Sequence, residues 1–244
     1  MSDFDRNYTA ARGFGADRAV AIDAGLRAHM IRVYNYMTGG VALTGVVAWL
    51  TYQYTLSNPE FARTLFGSPL VFVVMLAPLA LVFFLSFRIG HLQASTARLL
   101  FFAYAGLLGI SLATIFMVYT HASITRVFFI TAASFGALSL WGYTTQRSLD
   151  GMGSFMIMGL FGLIIASLVN IFLRSSGLDW AISVIGVLVF AGLTAWDTQK
   201  IKEFYDPMDD GTVAGRKAVM VALQLYLDFI NLFTFLLQFL GDRR

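Results

Sequence analysis

The stretch ALQLYLDFINLFTFLLQFL, Ala222–Leu240, decides how this chain is read. At 1.5 Å per helical residue it is long enough to cross a hydrocarbon core of about 30 Å. Near its middle stands Asp228, with no basic residue beside it. An ionised carboxylate at that depth costs about 3 kcal/mol on insertion scales, so the residue must be partnered, protonated or facing water. A second acid of the same kind is Asp197, in AGLTAWDTQKI. Two carboxylates in apolar segments suggest a proton or cation site.

The rest of the composition agrees with a membrane. Of 244 residues, 58% are hydrophobic and only 13% charged, and the mean hydropathy is +0.72. A soluble domain carries about 25% charged residues, so a water-facing surface could not be covered here. The chain has no cysteine, which excludes disulfides and thiolate metal sites. Its formal charge of +3 calls for a membrane explanation, and no nucleic-acid partner is expected. The polar, mixed-charge N-terminus does not read as a secretory signal peptide.

Segments of about 20 residues fall at Tyr34–Tyr54, Pro69–Phe87, Leu99–Tyr119, Val127–Thr145, Phe155–Leu173, Trp180–Asp197 and Val219–Leu240. Turn chemistry separates several of them: SNPE at Ser57–Glu60, SLDGMG at Ser148–Gly153 and RSSGLD at Arg174–Asp179. Backbone groups in lipid must be satisfied within their own segment, so the spans are helices. The expected organisation is a cytoplasmic N-terminal segment with an amphipathic lead-in over 1–33, a seven-span membrane domain over 34–241 and a short tail over 242–244. In the lead-in, Leu26, Met30, Val33, Tyr34 and Met37 recur at helical spacing opposite Asp23 and Arg27. This pattern is read as an extension of the first helix rather than a separate surface-lying one.

Orientation follows the basic residues. With the N-terminus inside, twelve of the 17 Lys and Arg lie on the cytoplasmic side, from Arg6, Arg12 and Arg18 to Lys202, Arg216 and Lys217. An odd span count then puts the C-terminus outside. A re-entrant last segment would instead return the basic tail GDRR to the cytoplasm.

Other membrane chemistries fit poorly. A retinal protein needs a lysine inside a span, but Lys200, Lys202 and Lys217 sit at span ends. His29, His91 and His121 lie near or outside span ends, too scattered for one zinc site or for a serine–histidine protease. No Gly-rich phosphate loop is present, and no enzyme activity or cofactor is expected. The acidic loop Asp206, Asp209, Asp210 lacks the ligand pattern of an EF-hand and reads as a solvated loop. The acid pair survives, with a bland alternative for each member. Asp197 could be an interfacial residue paired with Lys200, and Asp228 a structural acid satisfied by Asn231 or Asn170. Arg216 to Asp228 spans about 18 Å of helix, whereas Asp197 sits near the cytoplasmic edge, so the two meet only if the last helix starts well inside the cytoplasm or the sixth is pulled inward.

Three motifs carry a resemblance: LQLYLDFINLF at Leu223–Phe233, AWDTQKI at Ala195–Ile201 and FGALSLWGYTT at Phe135–Thr145. They are similar to the Bax inhibitor-1 family of multispan membrane proteins, over roughly Asn35 to Leu240. The resemblance implies an all-α integral membrane fold, a seven-helix bundle with the last helix central. It also implies a pH-sensitive calcium leak, and in eukaryotic members a cytoprotective role. In that family two aspartates on the sixth and last spans form a hydrogen-bonded, pH-responsive gate, and the matching positions are Asp197 and Asp228. A basic latch on the second span matches Arg88 most nearly, in a stretch, RIGHLQASTAR, without a clear motif. Trp196 stands where the family often has tyrosine, which keeps an aromatic at the interface.

Two carboxyls in contact at low dielectric share a proton and titrate in coupled steps. One shared proton would tie the sixth and last helices; its loss would make the acids repel and open a path for a hard cation such as Ca²⁺. The expected partners are therefore the lipid bilayer and protons or Ca²⁺, with Ca²⁺ only transiently bound. The rival reading is a non-conducting scaffold or chaperone for other membrane proteins. Short loops point to a prokaryotic plasma membrane.

Overall fold

The computed structural model describes residues 3–244, with side chains from Ala24 onwards. Arg6, Arg12, Arg18 and Asp23 lie outside the residues whose side chains are described. Helix α1 runs unbroken from Asp3 to Ser57, joining the lead-in to the expected first span. It is followed by a short α2 (Pro59–Phe66), α3 (Leu70–Arg88) with a 3-10 turn at Ile89–His91, α4 (Ala94–Leu112) and a single turn α5 (Ile115–Val118). Then come α6 (His121–Thr144), α7 (Asp150–Leu173), α8 (Ser176–Phe204) and α9 (Gly211–Leu240). Among the described residues there is no strand beyond one isolated bridge, Tyr119 to Arg243.

Six helices are long and apolar enough to cross a membrane: Leu70–His91, Ala94–Val118, His121–Thr144, Asp150–Leu173, Ser176–Phe204 and Gly211–Leu240. The chain is an integral, multi-pass membrane protein. The expected segment Tyr34–Tyr54 is not one of the six, because Tyr34, Asn35, Tyr36, Thr38, Thr44 and Gln53 dilute its apolar content. Its Met37 joins the common core, and α1 packs on α4 and α9.

Several helices outrun the hydropathy-defined spans. SLDGMG and RSSGLD were read as turns, yet Asp150–Gly153 begins α7 and Ser176–Asp179 begins α8. Helix α8 also continues over Thr198–Phe204, and α9 starts at Gly211 rather than Val219. A hydropathy window closes at the first polar cluster, whereas a helix closes where a cap satisfies its free backbone groups. Here Ser175 Oγ accepts from Leu178 N at 3.3 Å, and Asp210 Oδ1 from Thr212 N and Val213 N at 2.8 and 2.7 Å. The acidic loop is therefore structured rather than merely solvated. Asp210 caps α9, Asp209 pairs with Lys217 at 2.6 Å, and Asp206 accepts from Met208 N at 2.9 Å.

Burial ranks the helices. Of the apolar window of α9, 61% is buried, against 44% for α8, 17% for α3 and 11% for α7. Helices α1, α4, α6 and α8 all pack on α9. Small residues let these axes approach, as lipid-phase packing favours: a side chain at Gly142 of α6 would run into the Ala195 backbone of α8. Buried polar groups close the seams. Thr44 Oγ1 donates to Ala105 O at 2.8 Å, so the Tyr226 hydroxyl at 2.6 Å must donate to Thr44, and α1, α4 and α9 are joined. Pro78, inside α3, has no N–H and frees the carbonyl of Val74. The hydroxyl of Ser111 on α4 donates to that carbonyl at 2.5 Å.

Candidate functional site

The site is built where α8 crosses α9. Asp197 is 9% exposed and Asp228 4%, and their carboxyls lie within hydrogen-bonding reach of each other. The depth tension posed by the sequence disappears because α8 runs seven residues, about 10 Å, past Asp197. The acid stands inside the helix rather than at its end. No donor among the described residues serves Oδ2 of Asp228. Two ionised carboxyls are acceptors only, so a hydrogen bond between them requires that one keep its proton.

The bland alternatives for the two acids find their groups engaged elsewhere. Lys200 pairs with Asp150 at 2.8 Å and Glu203 at 2.6 Å, not with Asp197. Asn231 donates to Leu227 O at 2.8 Å within its own helix, and Asn170 donates to Asp179. Neither amide reaches Asp228. Arg88 ends α3 with an exposed side chain and makes no hydrogen bond or ion pair among the described residues. The basic residue that ties this end of the molecule together is Arg216 of α9, donating to Gly90 O at 2.8 Å and Leu92 O at 3.3 Å.

Sequence reasoning missed the framework around Asp197. Trp196 Nε1 donates to Asp150 Oδ1 at 3.1 Å, and Thr198 Oγ1 to Ser139 Oγ at 3.2 Å. Gln199 clamps the α6–α7 connection, donating from Nε2 to Arg147 O at 2.9 Å and accepting from Leu149 N at 2.8 Å. Trp196 and Lys200 thus share Asp150 of α7, Thr198 holds α6 and Gln199 the connection between them, so the backbone carrying Asp197 is fixed from several directions. The legible signal was a polar run, WDTQK, that continues a helical segment without a Gly or Pro break.

A vestibule of about 320 Å³ reaches Asp197 from the Lys200 end, lined by Trp196, Lys200, Glu203, Phe204 and Gln224 as well. Gln224 stands one turn before Asp228 on α9. No group of three or more His, Cys, Asp or Glu is placed to hold a metal ion among the described residues. The acid pair offers at most four oxygens where Ca²⁺ takes six to eight, so water or other oxygens would have to complete its coordination. The two acids can hold a proton, and they can meet a cation that keeps part of its water.

Such a chain, all-helical, six of its helices able to span a bilayer and two carboxyls buried between its most buried pair, is a multi-pass membrane protein built round an intramembrane acid site. The family model described as Inhibitor of apoptosis-promoting Bax1 matches residues 26–244. The chain belongs to this Bax inhibitor family. It is 51% identical over 246 residues, covering all of both chains, to the "Uncharacterized protein RP147" of Rickettsia prowazekii. It is 45% identical over 232 residues, 94% of this chain and 97% of the relative, to the "Inner membrane protein YbhL" of Escherichia coli K12. An "Uncharacterized membrane protein SpyM3_0260" of Streptococcus pyogenes is 36% identical over 222 residues, 90% of this chain and 94% of the relative.

Proposed function

We propose that the chain is a proton-gated, passive cation leak of the plasma membrane, with Ca²⁺ as its cargo. In this reading α1 supplies a seventh span through Tyr34–Tyr54, the spans pack round α9, and the N-terminus is cytoplasmic. One observation carries it: two acids from different helices are buried face to face, with an oxygen of Asp228 lacking any other donor. An intramembrane acid is a functional candidate by default because it is costly to keep there.

With one proton shared, Asp197 and Asp228 tie α8 to α9 and the vestibule ends blind. When the proton leaves, two like charges at low dielectric repel, the helices separate at that level, and a partly hydrated cation passes the carboxylates. Arg216, bonded to the carbonyls after α3, is better placed than Arg88 to brace the closed form.

The test is flux. Purified protein in Ca²⁺-free liposomes should admit external Ca²⁺ at a rate that rises with pH, and Asp228→Asn should remove the pH dependence while the protein stays folded. Flux indistinguishable from empty liposomes at every pH would leave the non-conducting scaffold as the reading. An unchanged pH profile in Asp228→Asn would place the gate elsewhere.

A further inference from the structure

Helices α1 and α6 both lie on α9 but stand apart from each other. The gap is a cleft of about 470 Å³ on the flank of the molecule. Its floor includes Phe135 and Phe229, whose rings meet edge to face at 5.5 Å. Its rim is open: Leu140 is 63% exposed and Tyr143 40%. Apart from Thr38, Ser139 and the tyrosine hydroxyls its lining is apolar, and none of it is charged.

At one end the cleft runs into a wider mouth of about 690 Å³, sharing Met30, Tyr34 and Tyr143 with it. Here the chemistry changes. Arg27 and Asn35 line the mouth, and no lining residue is acidic. Beside it, Lys202 Nζ sits 5.3 Å from the centre of the Tyr143 ring and donates to Tyr143 O at 2.6 Å, which leaves further ammonium protons for another acceptor. From Met30 to Val41, the α1 wall of the cleft, the helix rises about 16 Å, close to half of a hydrocarbon core of about 30 Å. The cleft is thus one leaflet long, apolar along its length and basic at its head-group end.

We propose that this cleft binds one acyl chain of an anionic phospholipid, with the phosphate held between Arg27 and Lys202. The apolar walls take the chain, and the two cations select the head group. The proposal does not depend on ion conduction. Its site lies on the face of α9 that carries Phe229.

Native mass spectrometry of the purified full-length chain tests it, with phosphatidylglycerol and phosphatidylcholine of identical acyl chains as probes. The wild type should retain one phosphatidylglycerol in preference to phosphatidylcholine. Arg27→Gln with Lys202→Gln should weaken phosphatidylglycerol by about thirtyfold, the equivalent of about 1 kcal/mol for each of two head-group cations at about 1.4 kcal/mol per tenfold, and leave phosphatidylcholine unchanged. Gly136→Leu grows into open space at the cleft wall, where a Cβ meets nothing within 4 Å, and should abolish retention of that lipid. Thermal melting checks the same point: phosphatidylglycerol should raise the wild-type midpoint but not that of Gly136→Leu, with both proteins folded in its absence. Equal retention of the two lipids would overturn the proposal. So would phosphatidylglycerol binding untouched by Gly136→Leu, which would mean a head group on the surface with no chain in the cleft. A dimer or a co-purified polypeptide displaced by Gly136→Leu would assign the cleft to a protein partner instead.

Discussion

At the scale of single residues, the acid pair makes the sharpest prediction. If Asp197 and Asp228 share one proton, either Asn substitution removes the same interaction, and the double variant should resemble each single one. A cycle on the midpoint of the pH response should show coupling of about 1 kcal/mol or more, whereas shifts that add within about 0.5 kcal/mol would mean two independent acids. His29 makes a second. It is buried on α1, its Nε2 has no partner among the described residues, and its ring lies 5.7 Å from that of Tyr205. Burial first, then the charges of Arg32 and Lys217, hold it below the usual histidine range, with Asp209 opposing. The unfolded chain therefore binds a proton that the folded one refuses, and stability rises with pH. This term is absent above the ordinary histidine value of about 6.5 and grows as pH falls below it. Melting from pH 8 to pH 5 should show a steeper loss in the wild type than in His29→Phe; parallel curves would remove His29 from the account. Both acids were visible in the sequence because each interrupts an apolar run. The role of Gln199 was not, since an amide at a helix end looks the same whether it faces water or clamps a loop.

At the scale of elements, α3 and α4 depend on a repair. Pro78 frees the carbonyl of Val74, and Ser111 supplies the missing donor. Ser111→Ala should destabilise the protein by about 1 kcal/mol, within the range measured for hydrogen bonds between membrane helices. In a Pro78→Ala background the same substitution should cost almost nothing, because the helix then satisfies its own carbonyl. Equal costs in the two backgrounds, read from unfolding in mixed micelles, would show that the hydroxyl does not serve that carbonyl. The order of the six apolar helices was legible from hydropathy, whereas the short α2 and α5 were not. Element ends were not: α8 and α9 are extended by polar turns and by caps such as Asp210, and these additions put Asp197 inside a helix.

At the scale of the whole molecule, the tail indicates how the chain closes. Arg244 Nη1 donates to the Tyr52 hydroxyl at 3.1 Å, Asp242 pairs with Arg126 at 3.0 Å, and Thr120 N donates to Asp242 O at 3.1 Å. The end of α9 therefore meets the end of α1 and the start of α6, on the face opposite His29 and Tyr205. With a cytoplasmic N-terminus, this contact puts the C-terminus on the far side. A C-terminal reporter that is active only in the cytoplasm should be silent, and one that requires export should be active; the reverse result would favour a last segment that returns.

What the sequence by itself determined is what local composition controls. Apolar length fixed the membrane class and the helical spans, isolated acids marked Asp197 and Asp228, and the motifs around them carried the family. What only the tertiary structure decided is which groups face each other across helices. Hydropathy places a residue along a span but says nothing about rotation or about the neighbouring helix. The meeting of two acids from α8 and α9, the engagement of Lys200 by Asp150, the bonding of Arg216 to the carbonyls of Gly90 and Leu92 and the cleft between α1 and α6 all follow from how side chains interlock in three dimensions. That packing is set by the summed contacts of several helices at once, so no single segment contains it.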